Sequence, residues 1–86
     1  GYYLEDIPRY LSEIAEGITQ DQPEAIIAAA HTVKSSSQQY GLMQLAGMAR
    51  QMEEDARERQ PVDFSAQLQA MQTAFERITP LLTHCI

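Results

Sequence analysis

The chain has 86 residues, of which 44% are hydrophobic and 21% charged, which excludes both a large enzyme and a disordered tail. Six basic and twelve acidic residues give a formal net charge of −6, which argues against a general nucleic-acid binder. The one cysteine, Cys85, cannot form an intrachain disulfide, and no apolar run reaches the roughly 18–20 residues of a membrane span. We therefore predict a single domain over residues 1–86, excised from a longer chain because it starts at Gly1 without Met.

Apolar residues recur at intervals of three and four in four stretches of the chain, which is the period of amphipathic helices. No stretch alternates with period two for long enough to indicate a strand. Four helices joined by short loops predict an all-α fold, an antiparallel up-down-up-down four-helix bundle. The four stripes are Leu4, Ile7, Leu11, Ile14 and Ile18; Ile26, Ala30, Val33, Ser37 and Tyr40; Leu42, Leu45, Ala49, Met52 and Ala56; and Phe64, Leu68, Met71, Phe75, Ile78 and Leu82.

Turn and capping residues separate the first three stripes. Asp21 is the predicted N-cap of the second helix, with Pro23 in the first turn and Glu24 three residues after the cap. Tyr40-Gly41 predicts a tight break between the second and third helices, because glycine suits the left-handed conformation that ends many helices.

The last two helices have their own boundary signals. Gln60-Pro61 predicts the end of the third helix, and either Asp63 or Ser65 can cap the fourth. Two prolines fall inside the helical patterns. We expect Pro8 either to kink the first helix or to mark its start, and Pro80 to kink or fray the last one.

The second helix carries a histidine on its solvent side. His31 lies about 150° from the centre of the apolar stripe on a helical wheel, so its ring is expected to face water. Ile27, Lys34 and Gln38 lie on the same face, and Ser35, one turn on, is small. On position alone, a solvated histidine with no role remains an alternative.

Charge is distributed unevenly around this histidine. No acidic residue occurs in residues 25–52, whereas Lys34 and Arg50 are both present. A phosphoryl group on an imidazole adds up to two negative charges and is favoured by such a neutral-to-positive zone. The alternative is that the core helices simply carry few charges.

The residues His31-Thr32-Val33-Lys34-Ser35-Ser36-Ser37, followed by Gly41-Leu42, form a pattern that resembles a known family. It is similar to the histidine-containing phosphotransfer (HPt) domain of multistep phosphorelays, as in hybrid sensor histidine kinases. That family reads His-x-x-Lys-Gly-small-small and then a glycine. The resemblance covers nearly the whole chain, since the segments 4–11 and 52–57 also have counterparts. One departure is Ser35, which stands where the family usually has glycine.

The resemblance implies roles for individual residues. His31 would accept the phosphoryl group, Lys34 would offset its charge, and Glu53 would hydrogen-bond the histidine ring. Arg57 matches a commonly basic position, and Arg50 is a further neighbour of the phosphoryl group. Two alternatives stay open, namely that Glu53 is a solvated charge within an acidic run and that Arg57 serves only solubility.

The resemblance also implies partners. Response-regulator receiver domains would dock around the histidine, supply the divalent metal, and exchange phosphoryl groups with it, so the domain itself needs no cofactor, metal or nucleotide site. We expect a monomer in the cytoplasm that contacts neither nucleic acid nor membrane, and we favour the terminal domain of a membrane-bound sensor kinase. The predicted partner-binding residues are Ile27, Ala28, Ser35, Gln38, Arg50 and Arg57.

Three other functions remain open at this point. The domain could be the phosphoacceptor domain of a chemotaxis-type kinase, or a helical docking module that is never phosphorylated. A metal or haem bundle is a weaker alternative, because the chain has only two histidines and no Glu-x-x-His pair. Its potential ligands are His31, His84, Met43, Met48 and Met52.

Overall fold

Four helices account for most of the chain. A computed structural model describes the backbone of residues 2–84 and the side chains of residues 6–78 and Pro80. The helices are α1 (Tyr2–Thr19), α2 (Pro23–Gln39), α3 (Met43–Arg57) and α4 (Phe64–His84), and the described residues contain no strand. Each helix packs on the next along the chain, and α4 returns to pack on α1. The predicted all-α four-helix bundle is confirmed, although Leu4, Leu82 and Cys85 lie outside the described side chains.

The predicted stripes meet in one core, except for Tyr40, which is 51% exposed because it lies in the turn after α2. The largest fully buried side chains of the core come from all four helices, and burying each contributes roughly 1.5–3 kcal/mol relative to leaving it exposed. Both α2 and α3 contribute buried alanines to the core, and such small side chains allow helices to pack closely. None of the helices described here has an apolar stretch able to cross a bilayer. The large core residues are Ile7, Ile14, Val33, Leu45, Met52 and Met71.

The prediction that Asp21 caps α2 is wrong. Gln22 is the N-cap, and it makes no capping hydrogen bond through its side chain. Asp21 instead has a φ of 54° and follows the end of α1, where its N–H donates to Ile18 O at 3.3 Å. The next N–H, that of Gln22, donates to Gly17 O at 2.8 Å, which completes a Schellman motif. The connection is so short that Asp21 must reverse the chain and cannot cap the following helix.

The same motif ends the next two helices. Gly41 has a φ of 72°, and Leu42 N–H donates to Ser37 O at 2.9 Å, which confirms the predicted break after α2. Arg59 has a φ of 54° after the end of α3, so a non-glycine residue occupies the left-handed conformation there. The tight turn at Gly41 brings α3 back against α2.

The remaining boundary predictions have mixed outcomes. Ala66 N–H donates to Asp63 Oδ1 at 3.1 Å, so Asp63, rather than Ser65, caps α4. Pro8 lies inside α1 and does not mark its start. Pro80 likewise lies inside α4, which continues beyond it.

Candidate functional site

The site lies on the seam between α2 and α3. The buried residues Ala30 and Val33 hold α2 against the core and leave the side chain of His31 55% exposed, as the helical wheel predicted. At the base of the ring, His31 Nδ1 lies 3.1 Å from Glu53 Oε2 on α3. One nitrogen of the ring therefore contacts the protein, and more than half of the side chain is accessible from outside.

Glu53 is the buried centre of a cluster of charges. Its side chain is only 6% exposed, so the alternative that it is a solvated charge is wrong. Arg57 donates to Oε2 from Nη2 at 2.7 Å and from Nε at 3.2 Å. Lys34 Nζ lies 3.1 Å from Oε1 in an ion pair. Two cations therefore surround one anion, which leaves one net positive charge beside His31.

This cluster decides the protonation of Glu53. Burial by itself raises the pKa of Glu53, but the contacts from Arg57, Lys34 and His31 and the charge of Lys34 outweigh it and lower the pKa to about 2. At neutral pH the side chain is therefore a carboxylate, which can only accept hydrogen bonds.

The tautomer of His31 follows from that charge. Because Glu53 accepts, Nδ1 of His31 must carry the proton in the 3.1 Å contact. A neutral imidazole has one protonated nitrogen, so Nε2 then holds the free lone pair. The arrangement can present a nucleophilic nitrogen of fixed orientation next to a net positive charge.

The remaining predicted site residues are distributed over the same seam without joining the cluster. Ala28, Ser35 and Gln38 are exposed on α2. Ile27 was expected to be exposed, but it is half-buried, because it packs against the core. Arg50 has a 65% exposed side chain and forms only a loose 3.9 Å ion pair with Glu54 among the contacts found here.

The sequence analysis missed two features of α3. The first is the link between Arg57 and Glu53, for which the spacing of four residues was an available signal. The second is Asp55, which is buried on the side of α3 that faces α4. Gln51 and Gln67 donate to its two carboxylate oxygens at 3.0 and 2.8 Å.

The potential methionine ligands of a metal bundle lie in different surroundings. Met52 is fully buried in the core, whereas Met43 is 64% exposed. The side chain of His84 lies outside the described residues. Within the part of the chain that the structure describes, no group of three or more His, Cys, Asp or Glu side chains could hold a metal ion.

The chain matches the model of a known protein family. The model described as Hpt domain matches residues 1–79, which include His31, Glu53 and nearly all of the bundle. Comparisons with curated proteins and with solved structures found no significant match. The family match and the histidine–carboxylate pair therefore concern the same part of the molecule.

Proposed function

The chain belongs to the Hpt domain family, which carries phosphoryl groups in phosphorelays, and from that premise we propose that His31 is its phosphoacceptor. The observation that supports this proposal is the 3.1 Å contact between Nδ1 of the exposed ring and the buried Glu53 carboxylate. His31 receives the phosphoryl group from the aspartyl phosphate of one receiver domain and passes it to another.

The transfer step uses the lone pair of His31 Nε2. This nitrogen attacks phosphorus, so that a P–N bond forms while the bond between phosphorus and the aspartyl oxygen breaks and the aspartate leaves as a carboxylate. The proton on Nδ1 stays in the contact with Glu53, whose negative charge offsets the positive charge that develops on the ring. The reverse step delivers the phosphoryl group to the aspartate of the second receiver.

The surroundings of His31 suit a docked receiver. Lys34 contributes positive charge close to the ring, and its side chain is 21% exposed. Ala28 and Ser35 lie one turn before and one turn after the histidine and are small, so a partner backbone can approach closely. The divalent metal that assists the transfer would be bound by carboxylates of the receiver.

Phosphorylation of this residue is tested by mixing the chain with a phosphorylated receiver domain. We expect a label on the chain that is labile in acid and stable in base and that is lost in His31→Gln. The matched control is His84→Gln, which changes the only other histidine and should keep the label. A label that persists in His31→Gln contradicts the proposal.

A docking module without phosphorylation is the second candidate, and the presence of Ser35 in place of the family glycine favours it. Such a module would bind receivers equally well with His31→Gln and would never acquire label. Receiver binding by both proteins, together with absence of label on the wild type, would support this candidate over a relay.

A further inference from the structure

The two cations that contact Glu53 are held differently. Arg57 directs both Nη2 and Nε at the single oxygen Oε2, at 2.7 and 3.2 Å. Lys34 Nζ lies 3.1 Å from the other oxygen, Oε1, in a single ion-pair contact. Arg57 therefore holds Glu53 through two contacts, whereas Lys34 holds it through one.

The chemistry of the two side chains reinforces this difference. A guanidinium is a planar fork that is already arranged for a carboxylate, whereas an ammonium is a point charge on a flexible stem. Arg57 and Glu53 are also four residues apart on the same helix, so their contact does not depend on α2. Lys34, in contrast, lies on α2 one turn after His31 and reaches Glu53 across the seam.

On the basis of the proposed phosphoacceptor role of His31, we propose that Arg57 is a positioning residue that holds Glu53 Oε2 against the histidine ring. In this arrangement, Lys34 can leave Glu53 and move to the incoming phosphoryl group. Arg57 itself contacts neither the phosphoryl group nor the partner, in contrast to the partner-binding role that the sequence suggested.

Charge balance explains why a second cation is needed. If Lys34 were the only cation at Glu53, its departure would leave a buried carboxylate unpaired, which is strongly unfavourable. Arg57 removes that obstacle because it remains bound to Oε2, the same oxygen that accepts from His31 Nδ1. Glu53 then stays ionised and keeps Nδ1 protonated throughout the transfer.

The first test measures the tautomer of His31 in the unphosphorylated chain by nitrogen NMR of the ring. In the wild type, we expect a protonated Nδ1 and an unprotonated Nε2. In Arg57→Met, the two nitrogen signals should move toward the averaged values of a tautomer mixture. Arg50→Met is the matched control, because it removes the same charge from the same helix without touching Glu53, and its ring signals should match the wild type.

Wild-type ring signals in Arg57→Met would overturn the proposal. Loss of folding is not expected to obscure this result, because the side chain of Arg57 is 58% exposed and methionine is a good helix former. The amide spectrum of each variant verifies that it is folded. The measurement needs no receiver and no phosphate, so it can fail or succeed independently of the phosphoacceptor role.

The second test is a double-mutant cycle on the rate of phosphotransfer from a receiver. Arg57→Met should slow transfer by about tenfold, the scale typical of a residue that orients another. In a Glu53→Gln background, the same substitution should have no further effect, because Arg57 acts only through Glu53. If the loss of rate in the double variant equals the product of the losses in the two single variants, Arg57 acts directly on the phosphoryl group or the partner, and the proposal is wrong.

Discussion

The buried carboxylate of Glu53 predicts a specific dependence of stability on pH. The surrounding contacts lower the pKa of Glu53 from its ordinary value of 4.5 to about 2 in the folded state. Since each tenfold change in an acid constant corresponds to about 1.4 kcal/mol, the ionised side chain contributes about 3 kcal/mol to the free energy of unfolding. Because the folded pKa is the lower one, this contribution is complete above the unfolded pKa and disappears as the pH falls through about 2.

Glu53→Gln removes this contribution while preserving the shape of the side chain. We expect the variant to be less stable than the wild type by about 3 kcal/mol near neutral pH. The difference should narrow between about pH 5 and pH 2, because the protonated wild-type side chain then resembles glutamine. Urea unfolding followed by circular dichroism at several pH values measures the difference.

Glu54→Gln is the matched control for this prediction. Glu54 is the next residue, but its side chain is 51% exposed and its ion pair with Arg50 is 3.9 Å long. Its substitution should change the free energy of unfolding by less than about 0.5 kcal/mol at every pH. If the difference between wild type and Glu53→Gln is the same at pH 5 as at pH 2, the cluster does not hold the charge on Glu53. The assignment of the proton to His31 Nδ1 would then lose its basis.

Two further predictions concern stability. Gly41→Ala should lower the free energy of unfolding by about 1 kcal/mol, because its φ of 72° is unfavourable for any residue with a Cβ. Gly47→Ala adds an unobstructed Cβ inside α3 and should raise the free energy of unfolding by about 0.8–1 kcal/mol. In thermal melts, the melting temperatures of the two variants should shift in opposite directions. Shifts of the same sign would contradict the argument from φ. Gln67→Ala should cost about 1–3 kcal/mol in urea unfolding, because Asp55 loses its 2.8 Å donor, whereas exposed Gln69→Ala should be nearly neutral. An equal effect of both substitutions would show that the buried contact contributes nothing.

The position of Ser35 bears on the partner rather than on the fold. Ser35 is exposed and lies one turn after His31 on α2. Under the proposed function, the serine affects how closely a receiver can approach, and it leaves the Glu53 cluster unchanged. Phosphotransfer measured with Ser35→Gly separates an effect on docking from an effect on the Glu53 cluster. Only docking of the receiver should change.

The sequence alone was sufficient for the helices and for the exposure of His31. Both depend on local rules, because the spacing of apolar residues fixes which side of each helix is buried. The break at Gly41 and the cap at Asp63 were predictable for the same reason. The role of Asp21 was not predictable from the sequence. The path by which the chain reverses direction decides whether such a residue ends one helix or begins the next.

Only the tertiary structure shows that the three consecutive acidic residues of α3 have different surroundings. The sequence predicts that successive side chains of a helix point about 100° apart, but it does not show which residues of other helices each of them faces. Packing places Glu53 against α2, leaves Glu54 in solvent, and buries Asp55 on the side of α4. Because a buried carboxylate needs donors that come from other parts of the chain, the chemistry of Glu53 is decided by the close approach of α2 and α3.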